Sequence, residues 1–296
     1  MNFVLKLLAT IGKPKMAEII STQTNGHALP DDLAFYGDLA YEGPDGTSLE
    51  ADVYRPKDRS ADPLPIAVFV HGGGFIMGSR KANRDYVELL AERGYVVFVP
   101  EYRLIDKTDG IGAIADVCAG LAYLEAHASE LGGDPSLMLT IGESAGGLLA
   151  LYATALSRST LLQEKLGIKT TGPSARALAL FGGMLYTAGH NLIGLVYRRD
   201  LYGARLGDED FAELMNPEDP RVESNLPSVL QVTSGADFLK RHTLNYNEAL
   251  TMVGHDHRLV YYKKGEDLTH AFPSLHPELP LSKEVLNELD AWFKGL

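Results

Sequence analysis

The chain has 296 residues, 45% of them hydrophobic and 22% charged, and its formal net charge is −12. A chain of this size and balance buries most of its apolar surface without metals, and its single cysteine, Cys118, excludes an internal disulfide. With no basic cluster and an acidic net charge, nucleic acid is not an expected partner and a polyanionic substrate would be repelled.

The first predicted element is an amphipathic helix with Phe3, Leu7 and Leu8 on one face. Lys6 interrupts its apolar run, which closes near Lys13-Pro14-Lys15, unlike a secretory leader. Packing over the protein's own pocket is the expected role, with peripheral membrane contact as the alternative. No stretch approaches the roughly 20 apolar residues of a membrane span. The lone cysteine fits a reducing compartment, and a cytoplasmic location is expected.

A polar loop is predicted from Ser21 to Pro30, then strands Tyr36–Tyr41 and Leu49–Tyr54 joined by the turn Gly43-Pro44-Asp45-Gly46. Alternation in the second of these suits a half-exposed antiparallel pair. From Ile66 the pattern changes to continuous apolar runs, Ile66–Val70, Tyr95–Val99, Leu137–Ile141, Arg176–Phe181, Ser228–Thr233 and Leu259–Lys263. Helical segments alternate with them: Asn83–Glu92, Ala113–Ser129, Ala145–Leu156, one including Leu244 to Met252, and Ser282–Phe293. This predicts an α/β fold, a mostly parallel sheet of about eight strands with helices on both faces. Between Gly182 and Pro227 the strand pattern lapses for too long to be an ordinary connection. The expected division is 1–35 as part of a helical cap, 36–182 and 227–296 as the core, and 183–226 as a cap or lid insertion.

Gly142-Glu143-Ser144-Ala145-Gly146 matches G-x-S-x-G, with a strand before it and a helix after it. That setting makes Ser144 a candidate nucleophile, with Gly142 and Gly146 small enough to pack against a strained turn. A serine serving only as a helix N-cap is the alternative. Upstream, His71-Gly72-Gly73-Gly74-Phe75 follows a strand. Its glycines let backbone N–H groups approach a developing oxyanion, and Gly73, Gly74 and Ala145 are the expected donors. A flexible turn or a phosphate cradle competes, although the Lys-Ser/Thr ending of a Walker loop is missing. His71 reads as a residue that fixes this loop by hydrogen bonds.

Serine needs an imidazole to take its proton. In the order Ser…Asp/Glu…His, His270 fits best, lying between the last strand and the last helix. His276 is its competitor; His27, His71 and His127 precede the serine, and His190 falls in the insertion. His255 and His257 form an H-x-H pair, but no further ligands accompany them, and no metal is expected. Asp237, at the carboxyl end of Ser228–Thr233, is the expected orienter of His270, with Asp267 a rival and a helix N-cap the other use for Asp237. Phe75, Ile76 and Met77, with Tyr186, Leu192 and Tyr197 from the insertion, are candidate pocket walls, though core packing serves equally well for each.

These residues, with Tyr102-Arg103-Leu104, Gly147 and His270-Ala271-Phe272, resemble the hormone-sensitive-lipase-like branch of the α/β-hydrolase esterases. The resemblance runs from about Tyr36 to the end of the chain. It implies an α/β-hydrolase fold with a cap built from the N-terminus and a late insertion. It also implies hydrolysis of small carboxylic esters with short acyl chains, acetyl to butyryl or hexanoyl, without a cofactor. The chain departs from the family where Glu143 stands for the commoner Asp, where Phe238-Leu239-Lys240-Arg241-His242 follows Asp237, and where Ile105-Asp106 follows Leu104. An amidase or peptidase with the same triad, a non-catalytic small-molecule receptor, and a lipase acting on long-chain lipids are the competing readings. A homodimer is left open.

Overall fold

The computed structural model describes residues 1–24, 28–58, 63–265 and 267–296. Helix α1 (Phe3–Thr24) leads to strands β1 (Leu33–Glu42), β2 (Ser48–Pro56) and β3 (Leu64–Val70), then α2 (Arg84–Glu92), β4 (Val96–Pro100) and α3 (Gly110–Leu131). The chain continues through β5 (Gly133–Glu143), α4 (Ala145–Leu156), α5 (Thr160–Leu166) and β6 (Ala177–Phe181). Next come α6 (Leu192–Tyr202), a 3-10 turn (Gly203–Gly207), α7 (Glu209–Leu214) and α8 (Pro220–Glu223). It closes with β7 (Ser228–Ser234), α9 (Lys240–Met252), β8 (His257–Tyr262), α10 (Phe272–Leu275) and α11 (Pro280–Lys294).

The strands form one eight-stranded sheet in the order β1-β2-β4-β3-β5-β6-β7-β8. β2 pairs antiparallel with both β1 and β4, and every pairing beyond β4 is parallel. The continuous apolar runs follow from burial on both faces. In β3, Ile66, Val68 and Val70 join one core with α3 and α4, while Ala67 and Phe69 join a second with α2 and α11. This is the α/β-hydrolase fold. Its parallel strands bring the loops after β3, β5, β7 and β8 to one sheet edge, where open α/β sheets bind ligands.

Three regions differ from, or add detail to, what the sequence leads one to expect. The first concerns α1, which extends through Ser21–Thr24, the start of the predicted polar loop; residues 25–27 of that loop, His27 among them, lie outside the described residues. Its fully packed side chains are Leu5 and Ala9, whereas Phe3 is 80% and Leu7 50% exposed. The helix is apolar around most of its circumference, so periodicity alone does not select the packed face. Second, residues 183–226 hold α6, the 3-10 turn, α7 and α8, and α6 packs on α1 and α3. Third, α3 is long and apolar enough to cross a membrane, contrary to expectation. Most of its apolar residues are buried against β4, β5 and α4, as in a core helix.

Candidate active site

Ser144 stands between β5 and α4 with φ 51° and ψ −115°. Such a conformation is costly for a residue with a Cβ and persists only where its surroundings impose it. Here the Ser144 N–H donates to the Phe181 carbonyl at 2.9 Å, and its own carbonyl accepts from Met184 at 2.8 Å and Gly147 at 3.0 Å. The side chain makes no capping hydrogen bond, so the N-cap alternative has no bond to rest on. Gly146 is dictated by a close crossing: a Cβ there would lie 2.2 Å from the Val70 carbonyl oxygen.

The loop after β3 folds back on itself, with Ile76 and Met77 N–H groups donating to the Gly73 carbonyl at 3.2 and 3.1 Å. Gly73 has φ 107°, and a Cβ on it would meet Met77 O at 2.0 Å. Among the described residues, the N–H groups of Gly73, Gly74 and Ala145 donate to no protein acceptor. His71 ties this loop to its neighbours. Its Nδ1 lies 2.8 Å from Gly72 O and its Nε2 3.0 Å from Glu101 Oε1, and its ring stacks on Tyr102. Burial would raise the Glu101 carboxyl, but hydrogen bonds from His71 and Arg80 outweigh it and hold the group below its usual range.

Asp237, buried, sets its Oδ1 2.7 Å from His270 Nδ1. The same oxygen accepts the Leu239 N–H at 2.7 Å, and Oδ2 accepts the Thr233 hydroxyl at 3.1 Å. Helix α9 starts at Lys240 with Leu239 in its cap position, so Asp237 is not its N-cap. His270 Nε2 is buried without a hydrogen-bond partner, so no Ser144–His270 bond is formed, yet both residues line one cavity. The rival residues stand apart: His276 is half-exposed beside Glu278, and Asp267 is exposed. His255 and His257 use their ring nitrogens on local acceptors and the Thr251 hydroxyl, and no group that could hold a metal ion occurs among the described residues.

Sequence reasoning misses the bonds made by Glu143. Its Oε2 accepts from Asn83 Nδ2 and from Ser274 Oγ, each at 2.6 Å, and burial raises its carboxyl despite those donors. Asn83 precedes α2 and Ser274 lies in α10, so the pattern is spread over three distant segments.

The cavity shared by Ser144 and His270 has a volume of about 610 Å³. Of the candidate pocket residues, Ile76, Met77, Leu192 and Tyr197 line it, together with Gly73 and Gly74. Phe75 and Tyr186 do not. Phe75 is fully buried in the core, edge-on to Tyr197, and Tyr186 turns away to donate its hydroxyl to Glu218 at 2.5 Å. Further walls that the sequence did not single out as such include Leu8, Ile11 and Met16 of α1, Met184, Val196, and Phe238, whose ring centroid lies 4.3 Å from that of His270.

The BD-FAE family model matches residues 51–180. Carboxylic ester hydrolase LipN of Mycobacterium tuberculosis is 30% identical over 261 residues, covering 80% of this chain and 64% of that protein. The probable isoprenylcysteine alpha-carbonyl methylesterase ICMEL1 of Arabidopsis thaliana is 25% identical over 261 residues, covering 83% of this chain and 52% of that one. Esterase B of Lactobacillus rhamnosis, inhibited by a tributyrin phosphonate, superposes with a TM-score of 0.87 at 24% identity, over 100% of this chain and 96% of that chain. The chain is similar in sequence to these ester hydrolases and shares the α/β-hydrolase fold of esterase B. It spans about half the length of ICMEL1, and its likeness to esterase B is one of fold. After Asp237, Phe238 and Leu239 both line the cavity.

Proposed function

We propose that the chain hydrolyses carboxylic esters through an acyl-enzyme formed on Ser144. The observation that carries this reading is the buried Asp237–His270 pair, 2.7 Å apart, opening onto the same cavity as the strained Ser144. A rotation of the Ser144 side chain toward Nε2 would let His270 take the hydroxyl proton as Oγ attacks the ester carbonyl. Asp237 holds the Nδ1–H tautomer and stabilises the imidazolium that forms. Negative charge on the former carbonyl oxygen meets the N–H groups of Gly73, Gly74 and Ala145, and each such donor is worth roughly 3 kcal/mol in the transition state. His270 then gives its proton to the departing alkoxide, and water releases the acid by the same route. No step calls for a cofactor.

We assign residues 1–35 and 183–226 to a cap and 36–182 with 227–296 to the core. Leu8 and Ile11 from α1 and Leu192 and Val196 from α6 support this, since they wall the cavity holding Ser144. The preferred esters are taken to carry short acyl groups, of a size that leaves room for the alcohol portion in the cavity of about 610 Å³. Inhibition of esterase B by a tributyrin phosphonate is in keeping with that size. The test is a panel of p-nitrophenyl esters from acetate to palmitate, run beside Ser144→Ala and a matched p-nitroanilide. Hydrolysis confined to short esters, lost in Ser144→Ala, is expected. Equal rates in both proteins would refute the assignment, anilide cleavage at the ester rate would make it an amidase, and no turnover with either would favour a receptor.

A further inference from the structure

Helix α1 splits its apolar residues between two environments. Leu5, Ala9, Gly12 and Met16 form one row facing the protein, with Leu5 and Ala9 fully packed and Gly12 and Met16 at the cavity. Phe3, Val4, Leu7 and Ile11 form another, and these are 80%, 48%, 50% and 55% exposed. Leu192 and Leu195 of α6, together with Phe238 beside His270, are more exposed still than most of that row. Large apolar side chains scattered singly over a surface need no explanation, but these cluster around one opening. Leu8, Ile11, Leu192 and Phe238 are at once surface residues and walls of the Ser144 cavity, so the exposed apolar surface continues into the pocket.

Charge separates this surface from the rest of the molecule. The whole chain carries −12, yet α1 bears Lys6, Lys13 and Lys15 against the single acid Glu18. Lys13 pairs with Asp106, whereas Lys6 and Lys15 form no ion pair among the described residues. Lys15 falls one turn after Ile11 and one before Ile19, another exposed apolar residue, so a positive charge stands within the row. An exposed apolar row with lysines on and beside it is the chemistry of a helix lying in a membrane interface, where apolar side chains enter the acyl boundary and lysines meet anionic headgroups.

We infer that α1, the start of α6 and Phe238 form a docking surface for an anionic lipid layer, which delivers apolar esters into the Ser144 cavity directly from that layer. This rests on the proposed ester hydrolysis for its consequence, but not for the binding itself. The surface would supply the local attraction that the acidic remainder of the protein opposes.

Ser144→Ala protein, co-sedimented with phosphatidylcholine vesicles with and without phosphatidylglycerol, measures docking without turnover. Binding is expected, stronger with phosphatidylglycerol and weakened by salt. Phe3→Ser/Leu7→Ser/Leu195→Ser, three residues outside the cavity walls, should lower partitioning about tenfold or more while wild-type Ser144 in that background still turns over p-nitrophenyl acetate. Lys6→Glu/Lys15→Glu should lose only the preference for anionic vesicles. Equal sedimentation of the parent and the triple variant would overturn the inference. So would a dimer in sedimentation equilibrium that the triple variant dissociates, since the surface would then be covered by a second copy. Vesicle binding by a protein that hydrolyses no ester would leave the surface standing and remove the reaction.

Discussion

Ser274 donates its hydroxyl to Glu143 across 2.6 Å, joining the residue before the nucleophile to the helix that follows His270. Asn83 donates to the same carboxylate oxygen, so one buried acid fixes the Ser144 turn against two other segments. Glu143 does not line up with any reacting atom in the proposed mechanism; its part would be positioning. Losing one hydrogen bond to a buried carboxylate costs about 1–3 kcal/mol, and part of that would appear as a misplaced His270. Ser274→Ala is expected to lower kcat by about tenfold with KM little changed, and Ser274→Thr to restore much of it. If Ser274→Ala changes the melting temperature but not kcat, the bond is purely structural.

Asp237 gives the sharpest test of the proposed triad. Asp237→Asn preserves size but presents an amide where a carboxylate met His270 Nδ1 at 2.7 Å. The imidazole would then be held in the wrong tautomer or left free to turn, and imidazolium would lose its counter-charge. By the magnitude found for the same change in a serine protease, kcat should fall about 10⁴-fold at neutral pH. Circular dichroism should report an intact fold, and a retained rate would place the orienting acid elsewhere.

Much of this arrangement is legible from residue patterns because the fold repeats one physical theme. A strand buried on both faces must be apolar throughout, so Ile66–Val70 announces itself, and the loop after it must lie at the sheet edge. Ser144 and Asp237 each follow such a strand and His270 follows the edge strand β8, but chain order alone leaves His276 as a competitor of His270. What escapes are contacts set by tertiary packing. Helix α1 is apolar on too many sides for its sequence to choose between Leu5 and Leu7 as the packed residue. Phe75 looks like a pocket wall from its neighbours, yet its backbone, at φ 61°, turns the ring into the core. The partners of Glu143, at positions 83 and 274, have no local signature at all.

Gly73→Ala tests the oxyanion loop. A methyl group there would sit 2.0 Å from Met77 O, and φ 107° is unfavourable for any residue with a Cβ. The loop must shift, carrying the Gly73 and Gly74 N–H groups away from the developing charge. A fall of 10²–10³-fold in kcat is expected, the usual scale for one lost donor. A phosphonate that mimics the tetrahedral state should lose affinity in parallel. Unchanged turnover would mean that these N–H groups do not meet the oxyanion.

His242 in α9 ties the stability of the fold to pH. Burial depresses its pKa from 6.5 to about 4, with the His270 imidazole acting in the same direction and Asp237 opposing it. Its Nδ1 accepts the Tyr186 N–H at 3.3 Å, and the Tyr186 ring packs edge-on against it, so the neutral ring is the form the fold holds. The sign follows directly. Between pH 6.5 and about 4 the unfolded chain binds a proton on this residue that the folded chain refuses, so stability is present above 6.5 and is lost as pH falls. The full loss is on the order of 3 kcal/mol from a shift of this size. His242→Asn keeps an acceptor for Tyr186 without a titrating ring. Denaturant unfolding at a series of pH values should therefore show the wild type losing more stability than the variant across that window, and the two curves running parallel above it. Parallel curves throughout would mean that His242 is protonated equally well in the folded protein.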